Sequence, residues 1–375
     1  MSHADVFDDQ LAALDAAGRL RRLEPRVGLD FSSNDYLALA GDPAIARAVA
    51  EAIARGVPVG SGGSRLLRGN APEHEALEHK AARFFGSEAA LYFSSGFAAN
   101  MALFSTLPQK GDLIVADALV HASAHEGLRR GRAEHCFASH NDVGAFADQI
   151  RKWRAAGGRG RAWLAFETLY SMDGDIAPID ELAALARAED AWLLIDEAHA
   201  TGVFGHQGRG LAARLEGAEN VVSLHTCGKA LGIEGALVCA SRSIVDFLIN
   251  RARPFIFSTA PSPLMAVATA AALDRVAEAD DRRERLRHLW SHAGELLALP
   301  APPSQIIPVI LGDERRTMAV AETLRGSGFD VRGIRPPTVP QGTSRLRISL
   351  TLNVTPSDIE ALAGALAEAL NPVPA

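Results

Sequence analysis

Two short apolar runs of the chain each lead into residues that can do acid–base or covalent chemistry. The run 192–195 is followed by Asp196 and His199, and the run 221–224 is followed by Lys229. Continuous runs of Val, Ile and Leu are typical of strands buried on both faces of a parallel sheet. Ligands of open α/β sheets bind outside the carboxyl ends of such strands. A carboxylate, an imidazole and a lysine at that edge would suit an aldehyde cofactor held as a lysine Schiff base, with the aspartate facing its pyridine nitrogen.

Strand-like runs alternate with helical stretches, such as Ile179–Glu189, along most of the chain. The runs that predict strands are Ala89–Phe93, Leu113–Ala116, Ala162–Phe166, Trp192–Ile195, Val221–Leu224 and Ala236–Cys239. This alternation predicts an α/β fold whose mostly parallel central sheet is flanked by helices. Beyond about residue 275, strand-like runs at 306–311 and 345–350 predict a smaller C-terminal α+β domain. The predicted division is an N-terminal helix and leading segment over 1–36, a large domain over 37–275 and a small domain over 276–375.

Composition narrows the class of protein. Of 375 residues, 48% are apolar and 22% are charged, as in ordinary globular proteins, and the length suggests two lobes. The net charge of −7, without a basic block, argues against nucleic acid as a partner. The acidic segment Met1–Gln10 has no apolar region of a secretory signal, and no apolar stretch approaches the roughly 20 residues that span a bilayer. Three cysteines suit a reducing compartment, so we expect a cytoplasmic protein without a membrane partner.

Two further motifs lie after predicted strands. The run Ser94–Asn100 follows a strand and begins a helix, where free backbone N–H groups bind phosphate well. Thr226 could add a hydroxyl to the same phosphate. His121 also follows a strand and could stack on a flat ring or be an ordinary surface histidine, and the residues alone leave both interpretations open.

A helicase-type ATPase is the main alternative from the residues alone. Asp196–His199 spells the Asp-Glu-Ala-His box of such enzymes, which also need a phosphate loop of the form G-x-x-x-x-G-K-[ST]. Here Gly228-Lys229 is followed by Ala230, and Ser223 stands where the first glycine should be. The phosphate loop is therefore missing at Lys229, which disfavours the ATPase.

No metal site is predicted. His74 and His79 lie on one predicted helix, but at a spacing of five residues they point about 140° apart. Zinc-binding helices place two histidines four residues apart.

The order of motifs resembles the α-oxoamine synthases, pyridoxal-phosphate enzymes with the aspartate aminotransferase fold. The match runs over nearly the whole chain and is carried by Phe31–Leu37, Gly60–Arg65, Ser95–Phe97, His121–Ser123, Ser171–Asp175, Asp196–Gly202 and Thr226–Lys229. The resemblance implies a fold type I transferase whose large domain binds pyridoxal 5'-phosphate. It also implies a homodimer with sites at the interface.

The resemblance assigns the cofactor contacts residue by residue. Lys229 would carry the cofactor as a Schiff base and accept the substrate α-proton, and Asp196 would pair with the pyridinium nitrogen. His199 and Ser171 would hydrogen-bond the ring region, and His121 would stack on the ring face. The phosphate would be held by a set of small or backbone donors, with the last two reaching the partner subunit's phosphate: Ser95, Gly96, Phe97, Thr226, Ser258 and Thr259.

Substrate residues are implied in the same way. Arg347 would clamp the amino-acid carboxylate with help from Asn34. The far end of an acyl group would meet Thr338, Arg335 and Arg21, the last in a segment that is shorter than usual in the family, so that Arg19 or Arg22 could serve instead.

Within the family, the segment Arg335–Pro340 most resembles the members that condense L-alanine with a pimeloyl thioester in biotin biosynthesis, with loss of CO₂. The resemblance leaves open whether the acyl carrier is coenzyme A or a carrier protein. One alternative is a sister synthase that uses glycine or serine to make aminolevulinate, aminoketobutyrate or a sphingoid base. Another is a non-catalytic partner subunit, although such chains commonly lack the Schiff-base lysine.

Overall fold

A seven-stranded sheet is the centre of the computed structural model, which describes residues 5–23, 25–300 and 302–371. Residues 1–4 and 24 of the predicted N-terminal segment lie outside the described residues, as do 301 and 372–375 of the predicted small domain. The strands are β1 (Leu29–Asp30), β2 (Ala89–Phe93), β3 (Leu113–Asp117), β4 (Glu134–Ala138), β5 (Ala162–Glu167), β6 (Trp192–Asp196), β7 (Val221–Thr226), β8 (Ala236–Ala240), β9 (Ile306–Gly312), β10 (Phe329–Asp330), β11 (Arg332–Ile334) and β12 (Ser344–Ser349).

The helices follow the strands along most of the chain. They are α1 (Asp5–Ala16), α2 (Pro43–Ala54), α3 (Pro72–Phe85), α4 (Gly96–Thr106), α5 (Ala122–Arg130), α6 (Val143–Ala155), α7 (Ile179–Ala188), α8 (Arg242–Arg251), α9 (Arg253–Ile256), α10 (Pro263–Ala277), α11 (Asp280–Leu296), α12 (Glu314–Gly326) and α13 (Pro356–Leu370). In the described part of the chain, none of these helices is long and apolar enough to cross a membrane.

The order of the central sheet is β2-β8-β7-β6-β5-β3-β4. Strand β8 runs antiparallel to both of its neighbours, and the other pairings are parallel. The carboxyl ends of β2, β3, β5, β6 and β7 therefore lie at one edge. The predicted α/β fold with a mostly parallel sheet is confirmed.

The core explains why the strand sequences are continuously apolar. Successive residues of a strand point to opposite faces of the sheet. Leu194 packs into one cluster with α4, α5 and α8, whereas Leu193 and Ile195 pack into another with α6 and α7. Both faces of β6 are thus covered, and Leu193, Leu194 and Ile195 are all buried.

The chain divides into two compact units. The larger comprises Ser33–Ile307 and Ser349–Asn353, and the smaller lies within Met1–Ser32, Pro308–Ile348 and Val354–Ala375. This partition differs from the predicted limit at residue 275, because α10 packs on α2 and α3 and because α11 is tied to the larger unit. Arg282 of α11 donates to the carbonyl oxygen of Leu37 over 2.7 Å.

The smaller unit contains its own sheet and helix pair. Its sheet has the order β11-β12-β9, with β11 antiparallel to β12, and α12 packs on α13 and β11. The short strands β1 and β10 pair in parallel, which joins the N-terminal segment to this unit.

Candidate active site

The loops at the carboxyl edge of the central sheet carry the predicted cofactor residues. Each of these residues ends a strand or follows it, in the order β2, β3, β5, β6 and β7: Ser95, Gly96, His121, Ser171, Asp196, His199, Thr226 and Lys229. Residues more than 130 positions apart in sequence thus reach one edge.

Asp196 is the last residue of β6 and is half-buried. Its Oδ1 accepts the backbone N–H of Ala198 at 2.9 Å, and its Oδ2 accepts Asn100 Nδ2 at 2.7 Å. Two fixed donors hold this carboxylate in one orientation. Asn100 on α4 is buried, and the sequence-based interpretation had given its side chain no role.

Lys229 lies in a tight loop between β7 and β8. The loop is closed by hydrogen bonds from Gly232 N–H to the Lys229 carbonyl at 2.8 Å and from Ile233 N–H to the Cys227 carbonyl at 2.9 Å. Gly232 has a φ of +70°, and a Cβ there would lie 2.3 Å from Ala40 N, so only glycine fits this turn. Lys229 itself is half-buried.

The charges of Asp196 and Lys229 act on the pKa values of both His121 and Glu167, so these four side chains lie near one another. Burial lowers the pKa of His121, the negative charge of Asp196 opposes this, and Lys229 reinforces it. Burial likewise raises the pKa of Glu167 far above its ordinary value, with Asp196 reinforcing and Lys229 opposing the shift. Burial thus favours the neutral forms of both His121 and Glu167.

Glu167, at the end of β5, is a site residue that the sequence-based interpretation missed. It pairs in register with Asp196, and the backbone N–H of His121 hydrogen-bonds its carboxyl group. Among the described residues, its Oε1 has no hydrogen-bond partner. It lines a cavity of about 10 Å³ with Asn100, His121 and Asp196, close to the room that one water molecule needs. The sequence feature that could have identified Glu167 is its position directly after the apolar run 162–166.

The predicted phosphate elements come together at the start of α4. Ser95 caps this helix, because its Oγ accepts the N–H of Ala98 at 3.1 Å. A Cβ built on Gly96 would lie 3.3 Å from Thr226 Oγ1, so the backbone of Gly96 lies close to that hydroxyl. Phe97 is exposed beside them. A helix N-terminus next to a hydroxyl suits a phosphate group.

Ser258 and Thr259 follow α9. The Oγ of Ser258 donates to the carbonyl of Pro254 at 2.6 Å, and both residues line a shallow pocket with Arg65 and Ser94. Their predicted role toward a second copy of the chain stays a prediction.

His199 is connected to a residue without a predicted role, Tyr36. The Oη of Tyr36 lies 2.6 Å from His199 Nδ1 and donates to Asn34 Oδ1 at 3.0 Å. Tyr36 is fully buried, and Gln305 Nε2 donates to the backbone carbonyl of His199 at 3.0 Å. The sequence could have pointed to Tyr36, since it lies inside the family motif Phe31–Leu37.

The turn that carries Ser171 is held by a half-buried imidazole and its two carboxylate partners, a group that we call the His140 clasp (Asp117, His140 and Asp175). His140 Nδ1 lies 2.9 Å from Asp117 Oδ1, and Nε2 lies 2.8 Å from Asp175 Oδ2. Burial opposes the charge of His140, but the two hydrogen-bonded carboxylates outweigh it and raise the pKa of His140 to about 10. Tyr170 N–H donates to the Asp175 carbonyl at 3.0 Å, so the clasp ties the Ser171 turn to the end of β3.

Replacing His140 by glutamine should destabilise the protein by about 2 kcal/mol at pH 7, since hydrogen bonds to charged groups contribute about 1.5–3 kcal/mol each and His140 is partly exposed. The folded pKa, about 10, exceeds the unfolded value near 6.5. The clasp's stabilisation is therefore full below about pH 6.5 and is lost as pH rises through about 10. Unfolding midpoints at pH 7 and 10.5 should differ between wild type and His140→Gln only at the lower pH.

His288→Gln is the matched control, because His288 is exposed on α11 and its change should leave both midpoints in place. Equal destabilisation by His140→Gln at both pH values would contradict a charged clasp.

The predicted substrate residues other than Asn34 belong to the smaller unit. Arg347 lies on β12 and is 7% exposed, and Arg335 Nη1 lies 2.8 Å from Met318 Sδ. Thr338 and Arg21 are exposed. Arg22 is also exposed, whereas Arg19 forms an ion pair with Glu314 of α12 at 3.2 Å.

His74 has a structural role. Its Nδ1 accepts the N–H of Ala71 at 3.1 Å, and its Nε2 donates to the carbonyl of Pro261 at 2.8 Å. Within residues 5–23, 25–300 and 302–371, no cluster of His, Cys, Asp and Glu could hold a metal ion.

The site fits pyridoxal phosphate. It offers a carboxylate at the end of β6 for a pyridinium, a lysine for an aldehyde and a helix N-terminus with a hydroxyl for a phosphate. The imidazole of His121 lies near them, since the charges of Asp196 and Lys229 both act on its pKa.

Comparison with known proteins agrees with this geometry. The family model for aminotransferase class I and II matches residues 26–366. The 8-amino-7-oxononanoate synthase of Anaeromyxobacter dehalogenans is 42% identical, over 99% of this chain and 96% of that protein. The serine palmitoyltransferase of Sphingomonas wittichii superposes with a TM-score of 0.90 at 29% identity, over 98% of both chains.

A further solved structure, SPT with PLP, superposes with a TM-score of 0.89 at 28% identity over 98% of both chains. The chain therefore belongs to the aminotransferase class I and II family and is a pyridoxal-phosphate-dependent acyltransferase of the α-oxoamine synthase kind.

Proposed function

We propose that the protein condenses L-alanine with a pimeloyl thioester, with loss of CO₂, to form 8-amino-7-oxononanoate in biotin biosynthesis. The observation that carries the proposal is the grouping of Lys229, Asp196 and His121 at one sheet edge, in a chain whose curated relatives are 8-amino-7-oxononanoate synthases. The location proposed with it is the cytoplasm, since Cys136, Cys227 and Cys239 are free thiols.

Bound pyridoxal phosphate supplies a ring that takes up the electron pair left when the amino acid loses its α-proton. Lys229 would bind the cofactor aldehyde through Nζ and, once displaced by the amino acid, accept that α-proton. Asp196 would hold the pyridine N–H, which keeps the ring positively charged. His199 and Ser171 would orient the ring, and the chain around Gly96 would hold the phosphate with Thr226.

We propose that the amino-acid carboxylate is bound by Arg347 with Asn34, because a guanidinium grips a carboxylate with two parallel hydrogen bonds. Arg335, Thr338 and Arg21 would receive the distal carboxylate of the pimeloyl group. Arginines at the far end of the acyl site would favour an acyl group that ends in a carboxylate. They would disfavour a long apolar chain, because its end would leave the buried charge without a partner.

We also propose a homodimer in which Ser258 and Thr259 contact the phosphate bound by the second copy. Exposed apolar side chains near this segment support it: Phe257 is 70% exposed, Leu67 84% and Val59 73%. The segments are joined, since Ala260 N–H donates to the carbonyl of Gly63 at 2.9 Å. Apolar groups in such a cluster favour burial against another protein surface.

The test is a thiol-release assay of the protein loaded with pyridoxal phosphate. With L-alanine and pimeloyl-CoA or the pimeloyl carrier protein, we expect one CO₂ for each free thiol, and a kcat/KM at least about tenfold above that for palmitoyl-CoA. A preference for serine with palmitoyl-CoA, or for glycine, would move the protein to a sister synthase. No thiol release with any pair would overturn the proposal, and Lys229→Ala serves as the inactive control.

A further inference from the structure

A chain of hydrogen bonds leads from Asp196 to His121 through two buried side chains. Asn100 Nδ2 lies 2.7 Å from Asp196 Oδ2 and 3.0 Å from Ser123 Oγ. Ser123 Oγ lies 2.8 Å from His121 Nδ1, and the backbone N–H of Ser123 points to the same nitrogen at 3.2 Å. Asn100 is 4% exposed and Ser123 is 1% exposed, so water does not compete for these bonds.

The donors and acceptors of this chain can be ordered in only one direction. An ionised carboxylate only accepts, so the amide nitrogen of Asn100 must face Asp196 and its second N–H must face Ser123 Oγ. Ser123 Oγ accepts that N–H, and its single O–H is left for His121 Nδ1. Since the backbone N–H of Ser123 also donates to Nδ1, that nitrogen receives two donors and carries no proton of its own.

We infer that Asn100 and Ser123 are positioning residues that hold His121 as the neutral tautomer with its proton on Nε2. His121 then presents one N–H donor at Nε2, and Nδ1 is closed to proton transfer. The tautomer of His121 follows from the hydrogen-bond network alone, and its consequence for the reaction rests on the proposed function.

The groups around His121 agree with a neutral ring. The facing groups are Asp196 on β6, Lys229 after β7, His125 on α5 and Glu167 on β5, which accepts the backbone N–H of His121. Burial lowers the pKa of His121, and Lys229 and His125 lower it further against the opposing effect of Asp196.

A neutral imidazole has a specific advantage at this position. A second positive charge stacked on the cofactor ring would repel the proton that Asp196 is expected to keep on the pyridine nitrogen. The same asparagine that donates to Asp196 also starts the chain that keeps His121 uncharged. Asn100 thus connects Asp196, which would hold the pyridine proton, with His121, which would stay uncharged.

The test uses the cofactor-free protein labelled with ¹⁵N-histidine, so it does not depend on activity. Long-range ¹H–¹⁵N correlation spectra report which ring nitrogen carries the proton, and the His121→Gln spectrum identifies the His121 signals. We expect a protonated Nε2 and an unprotonated Nδ1 at pH 7–8. In Ser123→Ala only the backbone N–H of residue 123 is left to donate to Nδ1. We therefore expect the Nδ1-protonated tautomer to become detectable beside the other and the His121 pKa to rise by about one pH unit.

Ser123→Thr keeps the hydroxyl and should restore the wild-type spectrum, whereas Asn100→Leu should behave like Ser123→Ala. Ser105→Ala is the matched control on α4, because its hydroxyl donates to the Met101 carbonyl of its own helix. A proton on Nδ1, a charged ring at pH 7 or an unchanged spectrum in Ser123→Ala would overturn the inference. A locked tautomer in a protein that releases no thiol would instead overturn the proposed function alone.

Discussion

Replacing Lys229 by arginine should lower kcat/KM at least about 1000-fold and abolish covalent attachment of the cofactor. The guanidinium remains protonated at any working pH and is a poor nucleophile toward an aldehyde. The change keeps the positive charge that acts on His121 and Glu167, so it tests the covalent role of Lys229 separately from its electrostatic one.

Reductive trapping makes the same prediction independent of turnover. The chain has four lysines, Lys80, Lys110, Lys152 and Lys229, so borohydride reduction followed by peptide mass spectrometry can locate the cofactor. We expect the adduct on Lys229 in wild type and no adduct in Lys229→Arg. Lys110→Arg, an exposed control, should keep both activity and adduct. An adduct on any of the other three lysines would refute the assignment.

Replacing Asp196 by asparagine should lower kcat about 100- to 1000-fold, the usual effect of removing one preorganised electrostatic group. The amide keeps the size of the side chain, but its single oxygen can accept only one of the two donors, Asn100 or Ala198, that the two carboxylate oxygens accept. It could not balance a positive charge on the cofactor ring, so the bound ring would lose its proton and be a weaker electron acceptor. Steady-state kinetics with a separate measurement of cofactor affinity would separate lost chemistry from lost binding.

Asp246→Asn is the matched control, since Asp246 is exposed on α8. A kcat within about threefold of wild type in Asp196→Asn, with the cofactor fully bound, would show that this carboxylate does not set the charge of the ring.

The local elements were largely predictable from the sequence. The strands at 89–93, 113–117, 162–167, 192–196 and 221–226 match the apolar runs to within two residues. Strands covered on both faces tolerate few polar residues, so a buried strand can be recognised from its continuous apolar sequence. β4 was missed because it lies at the sheet edge with Glu134, His135 and Phe137 exposed, which leaves no apolar run to detect.

The candidate site was predictable as a set of loops. Parallel strands bring their carboxyl ends to one edge, so a residue that follows each strand must lie near that edge. Lys229, Asp196 and His121 could therefore be grouped before any coordinates were known. Asn100 and Tyr36 lie inside the sequence motifs 94–100 and 31–37, yet no spacing rule says which way an amide or a phenol points.

Only the tertiary structure decided how these side chains pair. Tyr36 and His199 lie 163 positions apart and meet at 2.6 Å, and Asp196 meets Asn100 across 96 positions. Such pairs depend on the angles at which helices cross the sheet and on the rotamers that packing allows. The sequence by itself thus determined which chemical groups reach the sheet edge, because strand burial and parallel topology are recorded locally. The direction of each hydrogen bond, and with it the charge inferred for His121, was decided by the packing of elements remote in sequence.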